Sequence, residues 1–291
     1  MRSPAPSAVL ELLKPLTWFA PMWAFGCGVV SSGVSGRWLV AAVGVTLAGP
    51  LVCATSQAVN DWYDRKVDAI NEPNRPIPSG RIPGRWGLYI ACLWTALSLF
   101  VAASLGVWVF IAAVVGLALA WVYSAPPLRL KQNGWLGNSA VGLAYEGLPW
   151  FTGAAAMASS LPDIRVIALA LLYSLGAHGI MTLNDFKSIE GDAVMGVRSL
   201  PVQLGVEGAV RLACVVMALP QAVVILLLLR WAHPLHALAV AALLVGQFAL
   251  MARLLKDPRG QAAFYNATGT TLYVLGMLVS AFALRSGAGA A

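Results

Sequence analysis

Charge is scarce in this chain. Asp, Glu, Lys and Arg make up 11% of its 291 residues, against about a quarter in an ordinary soluble domain. That shortage excludes a water-soluble fold wrapped in charged side chains. Histidine occurs three times and cysteine four times. Cys27, Cys53, Cys92 and Cys214 all fall in apolar runs without a C-x-x-C pair, and they read as small buried hydrophobes, not as a disulfide or metal framework. No Ser-His or Cys-His arrangement suggests a nucleophile. The residues before Thr17 lack the pattern of a cleaved signal peptide, so the first apolar run is expected to act as the insertion signal and to stay.

What fills the chain is hydrocarbon. Hydrophobic residues make up 59%, in runs of about the 20 residues that a helix needs to cross the bilayer core. Nine spans are predicted, at 16–34, 38–59, 87–105, 107–123, 138–157, 164–183, 209–229, 235–255 and 265–285. The runs are continuously apolar and do not alternate, which favours helices over a β-barrel. The expected fold is an all-α polytopic membrane protein with nine transmembrane helices, residues 1–291 forming one transmembrane domain in the lipid bilayer.

Lysine and arginine orient it. With a cytoplasmic N-terminus and nine alternating spans, fifteen of the nineteen basic residues, from Arg2 and Lys14 to Lys256 and Arg259, fall on the cytoplasmic side. Arg37, Arg165, Arg230 and Arg285 fall on the other, as the positive-inside rule requires. The net charge of +7 therefore reflects topology and anionic ligands or lipids, and nothing supports nucleic-acid binding.

The twelve acidic residues are not scattered. Seven lie between Asp61 and Glu72 or between Asp185 and Asp192. Asn60-Asp61-Trp62-Tyr63-Asp64 through Asp68 aligns with Asn184-Asp185-Phe186-Lys187-Ser188 through Asp192, and Arg75-Pro76-Ile77-Pro78 has a looser partner in Arg198-Ser199-Leu200-Pro201. Both copies fall at cytoplasmic ends, of spans two and six. Residues four apart on a helix are separated by about 400° and share a face. Asn60, Asp64 and Asp68 thus form one predicted stripe and Asn184, Ser188 and Asp192 its counterpart, with Asp61 and Asp185 beside them. An all-oxygen set suits a hard cation, and magnesium is typically held by one or two carboxylates together with substrate phosphates. Arg65, Lys66, Arg75, Arg81, Lys187 and Arg198 stand around these acids, with Arg129 and Lys131 on the loop between spans four and five. Carboxylates for metal beside cations for phosphate describe a diphosphate site. The competing reading is a set of solvated charges at a membrane interface.

Here the residues carry a resemblance. The first motif with Asn74-Arg75-Pro76-Ile77-Pro78-Ser79-Gly80 resembles the first signature of the UbiA-type intramembrane prenyltransferases. Asp185 to Asp192, with Gly196-Val197-Arg198-Ser199-Leu200-Pro201, resembles the second. The loop from Tyr123 to Lys131 resembles that family's tyrosine-plus-basic connector. Within the superfamily, SQAVNDWYDRKVDAINEPNRPIPSGRIPG, YSAPPLRLKQNGWLGN, YEGLPW and NDFKSIEGD are similar to the chlorophyll and bacteriochlorophyll synthase branch. The resemblance implies a nine-helix bundle in the bacterial inner membrane, including its photosynthetic extensions, with a cavity opening to the cytoplasm and into lipid. It implies transfer of a geranylgeranyl or phytyl group from its diphosphate to the C17 propionate of bacteriochlorophyllide or chlorophyllide, with two Mg2+ ions. Asn60, Asp64, Asp68, Asp185 and Asp192 would be the catalytic metal ligands. Arg75, Arg81, Tyr123, Arg129, Lys131, Glu146, Lys187 and Arg198 would bind substrate. Pigment-biosynthesis or antenna-assembly proteins are compatible partners. One departure is Ser188, where many members carry aspartate. The second metal site then leans on Asp185 and Asp192, with Asn184 and Glu190 as further candidates.

Other readings accompany this one. Glu146, inside span five, faces a cavity or a partner helix, or makes a structural hydrogen bond. His178 is either a helix-packing histidine or an axial ligand of the pigment's magnesium; His233 and His236 are interfacial, and most of the eleven tryptophans form an aromatic belt. A secondary transporter would share the repeat and the acids, yet the two motifs run the same way and none lies at the midplane. Prenylation of a quinone precursor is opposed by the pigment-branch strings alone. The topology is directly testable. A reporter fused after Ala291 should report the periplasm, and reporters in the 75–85 and 198–211 loops should both report cytoplasm. Opposite faces for those two loops would rule out a shared diphosphate site.

Overall fold

The computed structural model describes residues 3–287, so Arg2 and the Ala291 fusion point lie outside the described residues. Eleven helices follow one another: α1 (Pro6–Leu13), α2 (Phe19–Ser31), α3 (Trp38–Asn71), α4 (Trp86–Leu105), α5 (Val107–Ser124), α6 (134–158), α7 (Ile164–Asn184), α8 (Ile189–Val194), α9 (Leu200–Arg230), α10 (Pro234–Lys256) and α11 (Pro258–Gly287). No strand occurs among the described residues, and the all-α expectation holds.

Seven of the predicted spans are helices long and apolar enough to cross a membrane, those of α3, α4, α5, α7, α9, α10 and α11. The other two differ. The run at 16–34 begins as a 3-10 turn at Pro15–Trp18 and continues as a helix of only 13 residues. The run at 138–157 is broken by a π-turn at Leu143–Gly147. Pro149 explains the break, because its ring displaces the carbonyl four residues back, that of Tyr145. Pro50 does the same inside α3, where Leu47–Cys53 is π-helical. Helix ends also move outward from the predicted boundaries: α3 runs on to Asn71, and α9 starts at Leu200 and turns at Gly205, whose φ of 71° suits glycine.

The chain forms two compact units. The first holds residues to Val29, Val34–Arg129 and Leu148–Leu161. There the backbones of α2 and the end of α6 touch: a Cβ on Gly28 would meet the Trp150 carbonyl, and one on Gly153 the Phe25 carbonyl. Small residues at such a crossing are how apolar helices associate where lipid is as greasy as leucine. Elsewhere in this unit Leu12 and Leu13 of α1 are buried with Ala58 and Val59 of α3 and with Ile82, Ile90 and Ala91, which straps the N-terminal helix onto the helix carrying the first motif.

The second unit holds Val30–Gly33, Leu130–Gly147 and residues from Pro162 onward. Its core joins Leu183 and Phe186 to Ala213, Met217, Met251 and Tyr265. Gly179 lets α7 approach the Ala213 carbonyl of α9. In the apolar middle, Gln221 and Gln247 donate to each other's side-chain carbonyls at 3.1 and 2.9 Å, both fully buried. This reciprocal pair fixes the register of α9 against α10. Gln221→Leu alone should strand the Gln247 amide and lower stability by about 1–3 kcal/mol, while Gln221→Leu/Gln247→Leu should recover part of that loss. Thermal unfolding in detergent reads both; equal losses for single and double variants would contradict the pairing.

Candidate functional site

The first motif lies on helix, as its spacing predicts. α3 continues through Asn60, Asp64 and Asp68 and stops at Glu72, which precedes Pro73 and so is kept out of helical geometry. The prolines that follow turn the chain back and bring Arg75 to its own helix. Arg75 Nη1 donates to Asp68 Oδ2 at 2.9 Å, and Arg129 Nη2 to Asp64 Oδ1 at 3.2 Å. Asp61 is 1% exposed and accepts from Lys14 Nζ at 2.6 Å, with Arg75 Nη1 also 3.6 Å away. Asn60 donates to the hydroxyl of Ser124, the neighbour of Tyr123, at 3.2 Å. Arg81 is placed differently from Arg75 and Arg129. It forks onto Glu11 at 2.5 and 2.8 Å on the exposed surface, and that hydrogen bond holds the Glu11 carboxyl below its ordinary range.

The second motif departs from the predicted stripe. α7 ends at Asn184, Asp185–Lys187 forms a 3-10 turn, and α8 begins only at Ile189. Ser188 is the reason. Its hydroxyl lies within hydrogen-bond reach of the Asp185 carbonyl (3.2 Å) and the Asp192 carboxylate (3.0 Å), and such local bonds compete with a helical ladder. Asp185 Oδ2 accepts from Asn138 at 3.2 Å, and the same amide reaches Thr182 Oγ1 at 3.3 Å. Asn184 Oδ1 accepts from Asn266 at 2.8 Å, and the exposed Glu190 pairs with Arg259 at 2.7 Å. Lys187 and Arg198 are exposed. The Arg198 backbone bridges Asn133, with Arg198 donating to the Gln132 carbonyl and Gly134 donating to that of Arg198, which sets the loop bearing Lys131 beside the loop after the second motif.

Two buried groups stand apart. Glu146 sits in the π-turn, 5% exposed, with Oε2 meeting no donor. His178 Nδ1 meets Ser139 Oγ at 3.1 Å and its ring lies 5.8 Å from that of Trp135, while Nε2 has no partner.

No three His, Cys, Asp or Glu side chains gather into a metal-ligating group among the described residues. Asp61, Asp64 and Asp68 are matched by cations, Asp185 by an amide and Asp192 by a hydroxyl. The donor chemistry nonetheless fits a hard cation, since every candidate ligand offers oxygen and Asp64 and Asp68 share one helical face. The arginines beside them are ready partners for phosphate oxygens. Sequence reasoning missed the supports: Lys14, Ser124, Asn138 and Asn266. Asn138 and Asn266 did carry a signal, as carboxamides at the margins of apolar runs.

Comparison with known proteins places these features in a wider set. Residues 16–284 match the UbiA prenyltransferase family. The chain is 59% identical over 284 residues to the bacteriochlorophyll synthase 33 kDa chain of Cereibacter sphaeroides, covering 97% of this chain and 94% of that one. It is 41% identical to the chloroplastic chlorophyll synthase of Oryza sativa subsp. japonica, covering 94% and 76%. Among solved structures, a digeranylgeranylglyceryl phosphate synthase superposes with a TM-score of 0.75 at 24% identity, over 95% of this chain and 98% of that one. A UbiA homolog from Archaeoglobus fulgidus bound to GPP and Mg2+ superposes with a TM-score of 0.71 at 24% identity, over 91% and 99%.

Proposed function

The chain belongs to the UbiA prenyltransferase family, and on that premise we propose that it esterifies the C17 propionate of bacteriochlorophyllide or chlorophyllide with a C20 prenyl group. It is a multi-pass membrane enzyme and a prenyltransferase. The family match runs through both compact units, which supports one prenyltransferase domain; this reading assigns it to the bacterial inner membrane. The observation that carries the chemistry is the first motif, where Asp64 and Asp68 stand with Arg129 and Arg75 at the end of an apolar helix. The acceptor follows from the full-length likeness to bacteriochlorophyll and chlorophyll synthases.

In this reading Asn60, Asp64 and Asp68 hold one magnesium ion, and Asp185 and Asp192 a second. Magnesium held there would supply positive charge against the diphosphate and make it a better leaving group. Arg75, Arg129, Lys131, Lys187 and Arg198 place fixed positive charge against the oxygens that gain charge as the allylic C–O bond breaks. The bonding pair leaves with the diphosphate, and a propionate oxygen supplies the pair for the new bond to the same carbon. A propionate is already anionic near neutral pH, so no general base is needed. Arg81 serves chiefly through Glu11, and Tyr123 and Glu146 are further substrate contacts in this reading.

Chelator should abolish esterification, and magnesium, or in part manganese, should restore it; undiminished turnover in excess chelator would remove the assigned role of both acidic motifs. The two motifs also separate by mutation. Asp64→Ala should cost about 10²–10³ in rate, with Asp185→Ala and Asp192→Ala nearly as damaging. Ser188→Ala should be mild, because it removes one hydrogen bond to Asp192 and no ligand. Rates are compared at equal amounts of folded, membrane-inserted protein. A dead Ser188→Ala beside near-normal Asp185→Ala and Asp192→Ala would overturn the second metal site.

A further inference from the structure

Lys14 has no part in the chemistry above, yet the fold holds it with care. It closes α1 in the left-handed region, φ 48°, and its carbonyl accepts from Thr17 Oγ1 at 2.8 Å. Trp18 Nε1 donates to the Leu13 carbonyl at 2.8 Å, Leu12 and Leu13 are buried against α3, and Glu11 is tied to Arg81. This anchored turn delivers the ammonium to Oδ1 of Asp61, a carboxylate 1% exposed whose Oδ2 meets no donor. Arg75 Nη1 lies 3.6 Å from that same Oδ1, the oxygen Lys14 holds, and 2.9 Å from Asp68 Oδ2. Arg75 is thus shared between a buried acid behind the motif and a ligand acid within it.

A buried carboxylate stripped of its partner recruits the nearest cation, because an uncompensated charge in an apolar setting is far costlier than a shifted side chain. Without Lys14, that cation is Arg75. We propose that Lys14 is a positioning residue for the prenyl diphosphate: by neutralising Asp61 it leaves Arg75 at Asp68, where the diphosphate is held. The N-terminal helix is on this view part of the binding apparatus, a strap whose charge sets the aim of an arginine on another segment. The proposal rests on the reading that Arg75 meets the diphosphate.

The test uses the full chain in nanodiscs, with magnesium and geranylgeranyl thiolodiphosphate as the binding probe, and kcat and KM for esterification beside it. Lys14→Met should weaken probe binding roughly 10- to 100-fold, the worth of a hydrogen bond to a charged group, and raise KM while kcat changes little. Lys14→Arg should bind as wild type. Lys14→Met/Asp61→Asn should return to within about threefold of wild type, since removing the orphaned acid frees Arg75. The double variant and Lys14→Arg carry the comparison if Lys14→Met does not fold. Wild-type affinity in Lys14→Met, or a double variant that binds tenfold more weakly than wild type, would overturn the positioning role and leave the prenyltransferase reading intact. Failure of the wild-type protein to bind the probe would instead overturn the Arg75 reading, and this proposal with it.

Discussion

An ionised carboxylate at the end of an apolar helix must be paired with a cation or a hydrogen-bond donor, because neither lipid nor a packed core can solvate it. The arrangement of both motifs follows from that constraint. Asp61 takes Lys14, Asp64 takes Arg129 and Asp68 takes Arg75. Asp185 takes the Asn138 amide and Asp192 the Ser188 hydroxyl. The partners come from an N-terminal turn, a proline-rich loop and the connector after α5, so charge adds to apolar packing in tying the first two of these segments to the motif helix. A diphosphate with its metal presents the complementary pattern. Its oxygens suit the arginines and its cations suit the carboxylates, so in the proposed reaction the same groups that stabilise the free protein would exchange partners when substrate arrives.

The two motifs solve the problem differently, and the difference traces to one residue. In the first copy the position four after Asn60 is Asp64, its side chain paired with an arginine, and the helix runs on unbroken to Asn71. In the second copy the equivalent residue is Ser188, which bonds locally and ends the helix. The first motif is therefore a rigid face flanked by fixed cations. The second is a turn whose Asp192 takes one hydrogen bond from Ser188, and whose Asn184 takes one from Asn266 of the last helix.

Much of this was legible in the sequence, for identifiable reasons. Apolar runs exposed the membrane class, and the four-residue spacing of Asn60, Asp64 and Asp68 placed them on one helical face. Arg75 and Arg129 were singled out as cations near the acids, and both meet them. The exceptions share a cause, which is that they depend on distant partners or on local competition. Lys14 lies 47 positions before Asp61 in the chain, and no periodicity links them. The break at Ser188 reflects a side-chain bond that overrides helical spacing, and the π-turns around Pro50 and before Pro149 widen helices that hydropathy alone draws as continuous. Gln221 and Gln247 look like stray polar residues until α9 and α10 are set side by side.

In the proposed reaction an acid-and-arginine site at the membrane surface passes a prenyl group to a pigment carboxylate. The most direct measurement offers purified protein, with magnesium and geranylgeranyl diphosphate, two acceptors in one mixture: bacteriochlorophyllide and 4-hydroxybenzoate. Products are resolved by chromatography and mass spectrometry. The account predicts the geranylgeranyl ester of the pigment and no prenylated ring; prenylated 4-hydroxybenzoate with unesterified pigment would contradict it.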